Sequence, residues 1–343
     1  MDVPNPEREA YDGVRASEIR LEAVGQGARI LVYEPVGTGP RPAVVIGAEG
    51  GGINGFIRNV AATLAHIGFV ALVPDYYRGL RLTDPDDYSD IPGMLRMIEA
   101  LDFRRAAHDF LDAIAFARHL PSTDGKVAVW GYCTGGTVAL FGACLDRHLD
   151  AAVLFYPSQP RFEAISATRP AHALDLVWNI ACPVLIGYGD QDQVMTPAQL
   201  ADLGRRLSGW GIDHEIVLYP GAGHAFSSPG FAMHDPEAAA AAWRDGVRFL
   251  AEKTGSGKWV AESAQAAGAP AGGGGCSRRR GGCSRRRGGR GAGRLSPGVL
   301  FRAPWPCRPS PGSGRSPLCN ASSAPVGLGR MAQQRVCDAG GHL

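Results

Sequence analysis

The sequence lacks the features that would carry it into or across a membrane. Its opening residues, Met1-Asp2-Val3-Pro4-Asn5-Pro6-Glu7, hold neither the basic nor the apolar stretch of a secretory signal. No apolar run approaches the roughly 20 residues that span a bilayer. Cysteine is scarce in the first 254 residues, which contain only Cys133, Cys144 and Cys182. Three thiols do not make a disulfide framework, so a reducing compartment, the cytoplasm, is the expected location. No Cys/His spacing typical of zinc sites occurs, and neither a metal nor a cofactor is expected.

The formal charge of +2 over 343 residues hides an asymmetry. Residues 1–254 hold 21 Lys+Arg against 31 Asp+Glu, whereas residues 255–343 hold 14 against 2. An acidic body therefore precedes a basic tail. Gly, Arg, Ser, Pro and Ala dominate the tail, and Gly-Gly-Cys-Ser-Arg-Arg-Arg occurs at 274–280 and again at 281–287. Without a periodic apolar pattern the tail cannot bury enough surface to offset its ordering entropy, which predicts disorder over 255–343.

The body reads as alternating strands and helices. Residues 1–18 are polar and Pro-containing, a loose lead-in. Ile19–Val24 and Ala28–Glu34 read as a hairpin across Gly25-Gln26-Gly27. Apolar runs at 43–48, 69–73, 127–130, 151–156 and 183–188 are strands of the kind buried on both faces, and His214–Tyr219 reads as a further strand. Helical periodicity covers 56–67, with Asn54 as its cap, a long segment 94–120, and 197–207 and 236–252. The order predicts an α/β fold, a mostly parallel doubly wound sheet with helices on both faces. In such sheets chemistry gathers at the carboxyl ends of strands. Glu49, Cys133, Asp192 and His224 all stand just beyond predicted strand ends.

The stretch Trp130-Gly131-Tyr132-Cys133-Thr134-Gly135-Gly136 has the form of a G-x-S-x-G nucleophile elbow with cysteine for serine. The flanking glycines are expected to supply both space and unusual backbone angles on a sharp turn. The following helix directs its positive N-terminus at the sulfur, which favours thiolate. The chain order Cys133, Asp192, His224 is nucleophile, acid, histidine. Asp192 would fix the imidazole tautomer, and His224 would move protons. Asp190 is the rival acid; the motif register favours Asp192. Cys144 and Cys182 read as packing residues.

These motifs, with Ala48-Glu49-Gly50, Pro74-Asp75-Tyr76-Tyr77, Gly189-Asp190-Gln191-Asp192 and Gly221-Ala222-Gly223-His224-Ala225-Phe226, resemble the dienelactone hydrolase family over roughly residues 20–250. The resemblance implies an α/β-hydrolase domain over 19–254 that cleaves a small carboxylic ester or lactone through Cys133, Asp192 and His224 and a thioester intermediate. It implies that Glu49 holds the thiol at rest and helps deprotonate it when substrate arrives. It places the oxyanion hole at the backbone N–H groups of Thr134 and Gly50 and a substrate contact at Tyr77; Arg96 and Phe226 are further candidate contacts. Tyr77 reads equally well as a core aromatic. Family members acting on dienelactone set two arginines against the substrate carboxylate. This chain has Ile91 and Ser228 at those positions, with Arg96 as the replacement candidate for the first. Two other readings stand beside the hydrolase: nucleic-acid association through the Arg-rich tail, which lacks interleaved aromatics, and a fold that has lost catalysis.

Overall fold

The computed structural model describes residues 13–21, 27–37, 39–256 and 299–301. Strands β1 (Val14–Arg20) and β2 (Arg29–Pro35) form the antiparallel hairpin at one edge of a single sheet. Parallel strands follow: β3 (Arg41–Gly47), β4 (Val70–Pro74), β5 (Thr123–Tyr132), β6 (Ala151–Phe155), β7 (Val184–Gly189) and β8 (His214–Tyr219). The helices are α1 (Gly55–His66), α2 (Ile91–Ala100), α3 (Phe103–His119), α4 (Thr134–Leu145), α5 (Pro197–Gly209) and α6 (Pro236–Thr254). A short strand, β9 (Val299–Phe301), pairs antiparallel with β8. The spatial order is β1-β2-β4-β3-β5-β6-β7-β8-β9.

Every residue of β4, β6 and β7 is buried, as the continuous apolar runs require of strands covered on both sides. Helices α3 and α4 pack on each other and on β3 and β5, while α1 packs on β2, β3 and β4 and α6 on β5, β6 and β7. From β3 the chain steps to β4 on one side through α1, then returns to place β5 on the other. That reversal opens a crevice at the carboxyl ends of β3 and β5, where a doubly wound sheet receives its ligands. Glu49 and Cys133 follow those two strands.

Three boundaries differ from the sequence pattern. The first strand begins at Val14 rather than Ile19, so part of the expected lead-in is sheet. An edge strand with four consecutive exposed residues, Arg15–Glu18, shows no alternation to read. Residues 22–24, the rest of that expected strand, lie outside the described residues. The long helix is two, because Leu101 is extended and Asp102 starts α3 by accepting from Arg105 N at 3.1 Å. In the tail, Val299–Phe301 form β9 where no regular element is expected. The remaining expectation for the tail concerns residues outside the described set.

Candidate active site

Cys133 stands alone between β5 and α4 with φ 51° and ψ −119°. Such a backbone is strained for a side chain with a Cβ, and surrounding bonds hold it there. Its N–H donates to Phe155 O at 3.1 Å, and its carbonyl accepts from Thr137 N at 3.2 Å and Ser158 N at 3.1 Å. The flanking glycines contribute differently from expectation. Neither Gly131 nor Gly135 has a positive φ, so the unusual angle belongs to the cysteine itself. A Cβ on Gly131 would lie 2.3 Å from Gly135 O, and one on Gly135 2.1 Å from Gly47 O. The glycines let the start of α4 press onto β3 and β5.

His224 comes from the loop after β8. Its Nε2 lies 3.1 Å from Cys133 Sγ, and its Nδ1 2.8 Å from Asp192 Oδ2. The other Asp192 oxygen accepts from Val194 N at 2.7 Å and Met195 N at 3.0 Å, which fixes the carboxylate. With Asp192 as acceptor, Nδ1 carries a hydrogen and Nε2 faces the sulfur. The rival Asp190 is a turn former, accepting from Gly221 N at 2.7 Å and Gln191 Nε2 at 3.1 Å. Tyr156 meets the imidazole edge to face, with centroids 5.2 Å apart.

Burial pushes the Cys133 thiol up, but the His224 charge and hydrogen bond outweigh it and leave the thiol below its usual range. Burial pulls His224 down, while Cys133 and Asp192 together raise it to about 10. Opposite charges each favour the other's ionised form. The pair is therefore set towards thiolate and imidazolium, with the N-terminus of α4 adding to the same effect.

Glu49 is almost wholly buried, at 1 % exposure. One oxygen, Oε1, accepts from Asn54 Nδ2 at 2.8 Å and Ser228 Oγ at 3.2 Å. The other, Oε2, is buried with no partner among the described residues. Burial pushes this carboxyl up to about 7, against the hydrogen bonds from Asn54 and Ser228. Asn54 also caps α1, accepting from Ile57 N at 3.0 Å. The sequence points to that cap; its second bond, to Glu49, escapes a reading of local pattern. Ser228 stands out in the sequence only as a missing arginine, and nothing there ties it to Glu49.

Thr134 opens α4, and its N–H, like that of Gly50, has no acceptor among the described residues. Tyr77 is buried beside Cys133, packs on Tyr76 with centroids 5.3 Å apart, and its hydroxyl makes no hydrogen bond of normal length. Burial, with Cys133 nearby, holds that phenol above the usual tyrosine range. Glu49, Gly51, Tyr88, Ile91, Met94 and Phe231 line a narrow cleft, with Asp87 and Asp90 also on its walls. None of the three expected substrate contacts lines this cleft, nor do Cys133 and His224; Tyr77 stays by the sulfur, and the other two lie elsewhere. Arg96 is exposed on α2, turned away from the face that buries Gly93 and Met97. Phe226 is fully buried and packs on Tyr156 and Tyr219 behind the histidine loop.

A sequence model of the dienelactone hydrolase family matches residues 28–254. The "Probable 2-oxo-3-(5-oxofuran-2-ylidene)propanoate lactonase" of Bradyrhizobium sp is 30% identical over 230 residues, covering 66% of this chain and 90% of that protein. The carboxymethylenebutenolidase of Pseudomonas putida is 31% identical over 216 residues, covering 62% and 86%. A crystal structure of a "Putative Dienelactone Hydrolase" from Klebsiella pneumoniae superposes with a TM-score of 0.61 at 27% identity, covering 72% of this chain and 98% of that one.

Proposed function

The chain belongs to the dienelactone hydrolase family, and from that premise we propose that it hydrolyses a small carboxylic ester or lactone with Cys133 as nucleophile. The observation that carries the reading is the 3.1 Å approach of His224 Nε2 to Cys133 Sγ, with Asp192 behind the ring. The thiolate attacks the carbonyl carbon, and the carbonyl oxygen takes up the electron pair. The N–H groups of Thr134 and Gly50 receive that oxyanion; one such donor typically contributes about 3 kcal/mol. Collapse expels the alkoxide, which takes the proton from His224 Nε2 and leaves an acyl thioester on Cys133. His224 then accepts a proton from water as its oxygen attacks the thioester. The second collapse releases the acid and restores the thiolate.

Glu49 serves as the proton acceptor for a thiol that has become neutral. Its lone oxygen and its pKa of about 7 suit it to take a proton near neutrality. Tyr77 lines the sulfur side of the site. The walls of the cleft carry Glu49, Asp87 and Asp90 and no described Lys or Arg. An uncharged ester is therefore expected to be a better substrate than its carboxylate-bearing counterpart. Cys133, Cys144 and Cys182 are free thiols, which supports the cytoplasm as the place of reaction. No described helix is long and apolar enough to cross a membrane.

The test is Cys133→Ala with p-nitrophenyl acetate. Turnover is expected to fall by about 10⁴-fold or more, as for loss of a nucleophile that works as a unit with its base. Unchanged turnover would assign the nucleophile elsewhere.

A further inference from the structure

A second cleft, of about 540 Å³, lies on the other side of the loop that follows β4. Pro85, in that loop, lines both this cleft and the one at Glu49. Six arginines face the second cleft: Arg20 at the end of β1, Arg29 at the start of β2, Arg58 on α1, Arg78 and Arg81 after β4, and Arg105 on α3. They come together within a body whose acids outnumber its bases, so local folding and not overall composition concentrates them.

The carboxylates nearby do not balance this charge. Glu18 and Asp75 both pair with the same residue, Arg29, at 3.4 and 3.2 Å. Arg78 is held by Asp109 at 2.8 Å. Arg20, Arg58, Arg81 and Arg105 form no ion pair of bonding distance among the described residues; Arg58 hydrogen-bonds the Tyr33 phenol, and Arg105 stands within reach of the Asp109 charge. The paired arginines are fixed in place, and the others converge on the same space from separate elements. Guanidinium groups recognise oxyanions through paired N–H donors, and the volume is that of a small-molecule site.

We propose that this cleft binds a small molecule bearing two or more oxyanion charges, a diphosphate or a tricarboxylate. The site is distinct from the Cys133–His224 pair and does not depend on the hydrolase reading. Its ligand would contact the loop that walls the Glu49 cleft.

The experiment footprints the full-length chain with phenylglyoxal, with and without inorganic pyrophosphate, and in parallel with citrate. Modification is read at each arginine by fragment masses. Protection of Arg58, Arg81 and Arg105 is expected to exceed that of Arg244, exposed on α6, by at least fivefold. Calorimetric titration then compares variants. The double substitution Arg81→Gln/Arg105→Gln alters two exposed side chains and should weaken binding at least tenfold, with Arg244→Gln unchanged. Protection by pyrophosphate alone identifies a phosphate ligand, and by citrate alone a polycarboxylate. Equal protection at Arg244, or equal affinity across all variants, would reduce the effect to the general attraction of basic residues and overturn the proposal. Absence of any protection would do the same.

Discussion

Cys133 and Cys144 lie on one strand–helix unit, both buried, and their thiols are driven in opposite directions. Cys144 sits within α4 with no exposure; its Sγ donates to Ala173 O at 3.8 Å, and burial, with Cys182 nearby, holds its pKa above the ordinary thiol range. Cys182, two residues ahead of β7, is pushed up to about 12 for the same reason. Cys133 is subject to the same burial, yet its thiol is lowered. The difference is one imidazole at 3.1 Å. A reactive thiol here is thus a buried thiol supplied with a counter-charge; exposure alone does not distinguish it.

The strongest way to break the comparison is to remove that imidazole. His224→Gln removes the main opposition to burial at Cys133 and leaves the N-terminus of α4 and the Thr134 hydroxyl, so its thiol should move towards that of Cys144. In the unsubstituted protein, alkylation of Cys133 by iodoacetamide is expected to begin at a pH below that of an ordinary thiol. The imidazolium partner is lost as pH rises through about 10. In His224→Gln the acid limb should move to higher pH, and labelling at pH 7 should fall at least tenfold. Ester turnover should fall by about 10³-fold or more. Fragment masses read each cysteine separately. Unchanged labelling of Cys133 would show that the helix terminus alone activates the sulfur.

A smaller effect tests the other buried acid. Glu49 holds its proton more tightly in the folded state, at about 7 against a usual value of 4.5. Its contribution therefore favours the fold fully below about pH 4.5 and is lost as pH rises through about 7. A shift of that size corresponds to about 3 kcal/mol. Glu49→Gln, measured by urea unfolding, should gain up to that much relative stability between pH 5 and pH 8. Ester turnover should fall in the same variant. A difference in stability that does not vary with pH would remove the burial account of Glu49.

Much of this contrast is legible in the sequence, because each of its parts carries a local signal. Glycines flank Cys133, apolar runs precede the elbow and the His224 loop, and chain order names the three partners. The sheet is legible for the same reason: runs such as Ala43–Ala48 need no partner to be recognised as buried strands. What escapes depends on which surface covers which. Arg96 belongs to an amphipathic segment, but only the packing of α2 shows that its side chain turns away. Phe226 follows the histidine by two residues, yet points back into Tyr156 and Tyr219. Ser228 reaches a carboxylate 179 positions earlier, a pairing no local pattern encodes.

The smallest expected effect sharpens the contrast from the inert side. Cys144→Ala removes one buried sulfur from α4 and leaves the elbow's backbone bonds in place. The lost packing should cost about 1 kcal/mol and lower the melting temperature by about 3 °C. Ester turnover and Cys133 labelling should be unchanged, since Cys144 bonds to Ala173 and to none of the groups that set the Cys133 charge. The two positions share a helix, so the result also tests whether α4 transmits strain to its own N-terminus. A change of more than twofold in Cys133 labelling would mean that it does. The strained angle at Cys133 would then be held partly by packing along α4, and not solely by the bonds to Phe155, Thr137 and Ser158.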